Sequence, residues 1–169
     1  EETVAAIEKS GGKAIAVKVD VADDASTKAM ATAAVARFGR IDGLVLNAQS
    51  FRPVTPLLDV TESDMNLLFD TGPKGALWLM QAAQPRMAKN NWGRIVTMGT
   101  SMGLTGASGY GPYAASNEAI RSLTRTAANE WGRNGIMQAH ADGLDQHPMA
   151  FDVRQPSDRS DNSRISRTV

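Results

Sequence analysis

The chain has 169 residues, 42% hydrophobic and 21% charged, which is enough for one soluble domain with a substantial apolar core. Its 18 basic residues balance 18 acidic ones, so charge gives no reason to expect nucleic acid or an anionic membrane as partner, and the absence of cysteine excludes disulfides and thiolate chemistry. The two histidines, His140 and His147, are too few and too isolated to predict a metal site. No apolar run approaches the ~20 residues of a membrane span and no leader pattern opens the chain, so the expected compartment is the cytoplasm.

Short β-branched runs alternate with longer stretches of helical periodicity. A first helix over residues 1–9 stops at Gly11-Gly12. Residues 14–19 read as a buried strand, and an alanine-rich helix over 24–38 comes next and stops at Gly39. A second strand spans 41–46. A long helix begins at Thr61-Glu62-Ser63-Asp64, which has capping-box spacing, and runs to about Lys89. Pro73 lies inside it. Its missing N–H and its ring, which meets the carbonyl of Phe69, predict a kink or break at Gly72-Pro73. A third strand spans 94–98, and a last helix runs over 113–131 and stops at Gly132. From about Met137 the apolar periodicity stops and irregular chain is expected. Residues 151–169 are mostly Ser, Asp, Arg, Asn and Gln and read as a disordered tail beyond a domain over 1–150. Strands alternating with helices of this length predict an α/β fold, a parallel sheet with helices on both faces.

Several motifs, each present once, stand in a telling order. Asp20-Val21 comes after a strand, Leu46-Asn47-Ala48 ends the next, and Trp92-Gly93-Arg94-Ile95-Val96 opens another. Gly99-Thr100-Ser101 then precedes Tyr113-Ala114-Ala115-Ser116-Asn117. Over residues 1–136 this order resembles the short-chain dehydrogenase/reductase family. The resemblance implies a Rossmann-type doubly wound parallel sheet of strand order 3-2-1-4-5-6, here incomplete, with strands 1 and 2 and the glycine-rich phosphate loop missing. It implies hydride transfer between NAD or NADP and an alcohol or carbonyl substrate, without selecting between the two cofactors.

The same resemblance assigns residues. Tyr113 takes the place of the general acid/base. Thr100 takes that of a serine that holds the carbonyl oxygen, with an added methyl. Asn117 stands where the family has a lysine one helical turn beyond the tyrosine, and it carries no charge. Gly72 stands where the family has an asparagine that organises a proton relay, because Lys74-Gly75-Ala76 matches the family's residues just after that asparagine. Asp20 and Val21 match the pair that flanks the adenine. Asn47, Ala48 and Gln49 match an Asn-Ala-Gly turn at the cofactor, with Gln49 in place of a glycine that lets backbone approach. Residues 139–143 lie where the family has a Pro-Gly turn beside the nicotinamide. These departures make cofactor binding and turnover by this chain doubtful on sequence grounds. They leave a catalytically inactive fragment or scaffold as the alternative reading. The family's pairing of long helices across a subunit interface implies a possible homo-oligomer through helices 62–89 and 113–131.

Overall fold

Three parallel strands form one sheet in the computed structural model, which describes residues 2–143: β1 (Gly43–Leu46), β2 (Gly93–Thr100) and β3 (Ile136–Gly143), in that order. The central strand is β2. Gly43 to Leu46 pair with Arg94 to Thr97 on one side, and Ile136 to Gly143 pair with Gly93 to Thr100 on the other. The expected adjacency and parallel sense of the strands near 41–46 and 94–98 are present, and the fold is an incomplete Rossmann-type α/β sheet. The tail expected at 151–169, and His147, lie outside the described residues.

Local chemistry sets the helix ends. Helix α1 is Glu2–Lys9 and α2 is Asp24–Phe38. The Asp23 carboxylate accepts hydrogen bonds from the N–H groups of Ala25 and Ser26, and Gly39 closes α2 in the left-handed conformation. Helix α3 (Glu62–Phe69) starts at Thr61, where the capping box is complete. The break expected at Gly72-Pro73 takes another form. Asp70–Lys74 is a π-helical turn, and α4 (Gly75–Ala88) continues directly from it. In this wider turn the N–H of Gly75 reaches back to the carbonyl of Asp70, five residues earlier, so the prolyl ring fits without ending the helix. A short α5 (Met102–Thr105) precedes α6 (Gly111–Trp131).

The buried core is one cluster: Leu46 of β1, Leu79, Met80 and Met87 of α4, Ile95 of β2, Ile120 and Ala127 of α6, and Ile136 of β3. Since Ile95 shares this cluster with both α4 and α6, those two helices cover the same face of the sheet, and α2 packs outside α4. On the opposite face Val45 is 66% exposed. The expectation of helices on both faces is therefore corrected: among the described residues the long helices gather on one. No helix among these residues is long and apolar enough to cross a membrane.

Two further expectations are revised. Among the described residues, 14–19 form no ladder with any strand, and Ile15 and Val17 are exposed. A strand requires a hydrogen-bonding neighbour, and β-branched side chains do not substitute for one. Conversely, Ile136–Gly143 is a strand although its side chains are mixed in character, because its backbone pairs with β2 along its whole length.

Candidate active site

A cleft of about 330 Å³ opens beside β1, between the turn after this strand and the start of α6. Its polar lining comes from Asn47, Gln49, Tyr113 and Asn117, with Ala48, Gly99 and Val21 beside them. Among the described residues, none that lines it is charged.

Tyr113 lies in the first turn of α6, where Pro112 fixes the backbone angle and needs no donor. Its ring packs edge-on against Phe51, with centroids 5.4 Å apart and planes at 78°. Asn117 lies one turn later and is 2% exposed. Its Nδ2 donates to the main-chain carbonyl of Tyr113 at 2.8 Å and to Gln49 Oε1 at 3.1 Å. Gln49 Nε2 in turn donates to Ser116 Oγ at 2.6 Å, and Ser116 donates to the Tyr113 carbonyl at 2.9 Å.

The remaining sequence candidates are distributed around this centre. Asn47 and Ala48 are exposed at the end of β1. Gly72 is buried in the π turn, behind Gln49: a Cβ at position 72 would lie 2.7 Å from Gln49 Nε2. Thr100 ends β2, is buried, and accepts a hydrogen bond from the Met102 N–H at 3.3 Å. It is not among the residues that line the cleft. Asp20 is exposed and sits in the turn into α2, its carboxylate bonded to the Ala22 N–H at 2.9 Å and its own N–H bonded to Ser26 Oγ at 2.9 Å. Val21 lines the cleft and Asp20 does not. Residues 139–143 form the end of β3, with Gly143 beside Thr100 in the ladder.

Three side chains escaped the sequence reading. Ser116 is fully buried and Phe51 covers Tyr113. His140, read as incidental, is tied by Nδ1 to Thr97 Oγ1 at 2.7 Å, and Thr97 meets Thr124 Oγ1 at 2.9 Å, a buried polar link between β2, β3 and α6. The placement of Thr97 two residues after Ile95, on the same inward face of β2, is the available signal.

This geometry is that of a Rossmann-type sheet with a tyrosine-bearing helix at the strand ends. The sequence profile described as short chain dehydrogenase matches residues 1–155, and the chain belongs to the short-chain dehydrogenase/reductase family. It is 37% identical over 157 residues to the oxidoreductase UcpA of Salmonella typhimurium, covering 92% of this chain and 59% of that protein. To the peroxisomal multifunctional enzyme type 2 of Drosophila melanogaster it is 39% identical over 131 residues, 78% of this chain and 21% of that one. To a protein of Mycobacterium tuberculosis described as an uncharacterized NAD-dependent oxidoreductase it is 36% identical, covering 80% of this chain and 49% of that protein. Among solved structures, a 7α-hydroxysteroid dehydrogenase complexed with NADH and 7-oxo glycochenodeoxycholic acid superposes with a TM-score of 0.78 at 27% identity, over 82% of this chain and 54% of that one. The chain thus spans from a fifth to about three-fifths of the length of the relatives it matches.

Proposed function

We propose that this chain acts in an NAD(P)-dependent oxidoreductase that moves a hydride between a nicotinamide and the carbon of an alcohol or carbonyl substrate, with Tyr113 as general acid/base. The observation that carries the reading is that Tyr113, the Asn47–Gln49 turn and Val21 line one cleft. The apolar walls fit an uncharged planar ring, whereas no cation and no glycine-rich turn among the described lining residues offers a seat for a pyrophosphate. A bound nicotinamide supplies or takes the hydride. In the direction of reduction, Tyr113 Oη–H gives its proton to the carbonyl oxygen as the carbon becomes tetrahedral, and solvent restores it. The edge contact with Phe51 holds the ring at the cleft. Thr100 does not line the cleft, which leaves the orientation of the substrate oxygen mainly to Tyr113. On this reading the chain works in the cytoplasm and self-associates through helices 62–89 and 113–131, which sedimentation checks.

The test is turnover of NADH and NADPH with a panel of ketones and of the oxidised cofactors with alcohols. Tyr113→Phe should lower kcat by ~10² to 10⁴, the usual worth of general acid–base catalysis, with substrate binding little changed. Equal turnover by the variant removes Tyr113 from the chemistry. A folded wild-type chain with no turnover on the whole panel favours the non-catalytic scaffold instead.

A further inference from the structure

Positions 49, 72 and 117, three of the departures from the family pattern, meet in space. We infer that they are one interdependent unit, in which Gln49 is the positioning residue: its carboxamide fills the space that a glycine at 72 leaves and fixes the Asn117 amide beside Tyr113.

The need for glycine at 72 does not come from the backbone. Gly72 lies in the π turn without a positive φ, a conformation open to any residue. It comes from Gln49. A Cβ at 72 would stand 2.7 Å from Nε2 and 3.2 Å from Cδ of that side chain, well inside contact distance. The Gln49 amide is flexible and could swing away, but only by abandoning its partners. Ser116 is fully buried and Asn117 nearly so. Gln49 donates a hydrogen bond to the first and accepts one from the second. Buried polar groups that lose their partners cost more than the bond itself was worth, so the side chain is held where it is.

The unit determines what the cleft offers a ligand. Both N–H bonds of the Asn117 amide are taken, one by Gln49 Oε1 and one by the Tyr113 carbonyl. Its carbonyl oxygen is then the group left for a bound molecule. In the cleft that Tyr113 also lines, the Asn117 amide therefore presents a neutral acceptor, suited to a ligand with a hydroxyl or amide donor. Only the term positioning rests on the proposed role of Tyr113. The packing and the hydrogen bonds stand without it.

The experiment reads the Asn117 side-chain amide by NMR in the ¹⁵N-labelled full chain, together with Tm. In the wild type the two amide protons should exchange slowly and be well separated. Gln49→Leu should speed their exchange about tenfold, the factor implied by one lost hydrogen bond of ordinary worth. Gly72→Ala, which displaces Gln49, should reproduce that signature and lower Tm by about 4 °C or more. Added to Gln49→Ala, which removes every side-chain atom that a Cβ at 72 would meet, the same Gly72→Ala change should leave the Asn117 signals of that background unmoved and cause no further fall in Tm. Fast exchange in the wild type overturns the inference, as do unmoved signals in Gly72→Ala or an equal loss of Tm in both backgrounds. Should Gln49→Leu fail to fold, Gly72→Ala decides alone. If Tyr113→Phe proves fully active, the proposed chemistry fails while these readings remain valid, so the two failures are distinguishable.

Discussion

Residues 14–19 and strand β2 carry the same kind of side chains and end in opposite states. One runs Ala-Ile-Ala-Val-Lys-Val, the other contains Arg-Ile-Val-Thr-Met. Among the described residues the first pairs with no strand and leaves Ile15 and Val17 exposed, 37% and 38%. The second has a neighbour on each edge, and its Ile95 is fully buried. The difference lies in their surroundings: β2 has β1 and β3 beside it and α4 and α6 above it, whereas 14–19 has no strand beside it among the described residues. Strand formation here is a property of the ladder, and side-chain preference arises from packing within it.

Two glycines with the same kind of backbone separate the sheet from the chain before it most sharply. Gly135, at the entry to β3, has a φ of 70° and Gly11, after α1, has one of 85°. Alanine at 11 would meet nothing within 4 Å, so only the left-handed penalty of roughly 1–2 kcal/mol applies. Because α1 buries none of its residues, much of that penalty should be absorbed by local fraying. At 135 a Cβ would stand 2.0 Å from the Asn91 carbonyl oxygen. That carbonyl belongs to the turn that leads into β2, anchored by Asn91 N–H to the Ala88 carbonyl at 3.1 Å and by Trp92 N–H to that of Met87 at 3.3 Å. Neither backbone can yield without disturbing the central strand. Gly135→Ala should cost about 4 kcal/mol in urea unfolding, and Gly11→Ala less than about 1. Similar losses at the two sites would show that the two regions are equally well held.

A smaller effect comes from the side chains. Ile95→Ala removes a fully buried residue from the cluster shared by α4 and α6 and should cost about 3 kcal/mol. Ile15→Ala, at a site with no ladder, should stay within about 0.5 kcal/mol. If Ile15→Ala matched Ile95→Ala, residues 14–19 would be packed against something in solution that the sheet does not provide.

The same distinction explains what the sequence made legible. Helix α2 was bounded correctly because Asp23, Asp24 and Gly39 act on the backbone within a few residues. The pairing of β1 with β2 was legible because both runs are apolar and a crossover long enough for a parallel connection joins them. The strand at Ile136–Gly143 was not, because Gln138 and His140 hide its pattern and its stability comes from the β2 backbone. The one-sided arrangement of helices also depends on neighbours that the chain pattern does not name. At the cleft, Tyr113 and the Asn47–Gln49 turn were readable from motif order. Ser116, and the meeting of Gln49 with Gly72, were not, because residues 49 and 72 belong to different elements and their contact is made only by folding. Each looked like an independent loss when read along the chain.

The smallest expected effect belongs to the most local device. At the start of α3, Asp64 accepts from Thr61 Oγ1 at 2.6 Å and from the Thr61 N–H at 3.1 Å, while Arg52 Nε lies 3.3 Å from its other oxygen. The hydrogen bond from the Thr61 side chain is the main cause that holds the Asp64 carboxyl below the ordinary carboxylate range, then the Thr61 backbone N–H, with the Arg52 charge a minor contributor. A carboxyl whose folded pKa lies below its unfolded value of ~3.9 adds stability above that value, and the contribution disappears as pH falls through the folded pKa. The stability difference between wild type and Asp64→Asn should therefore be flat from about pH 5 to 8 and shrink below about pH 4. Because hydrogen bonds dominate, high salt should erode little of it, and Thr61→Ala should return the Asp64 titration, tracked by NMR, toward the ordinary range. A shift that salt abolishes and Thr61→Ala leaves intact would assign it to Arg52 instead. The capping box would then depend on the loop that carries that arginine, and it too would need a distant partner, as β2 does.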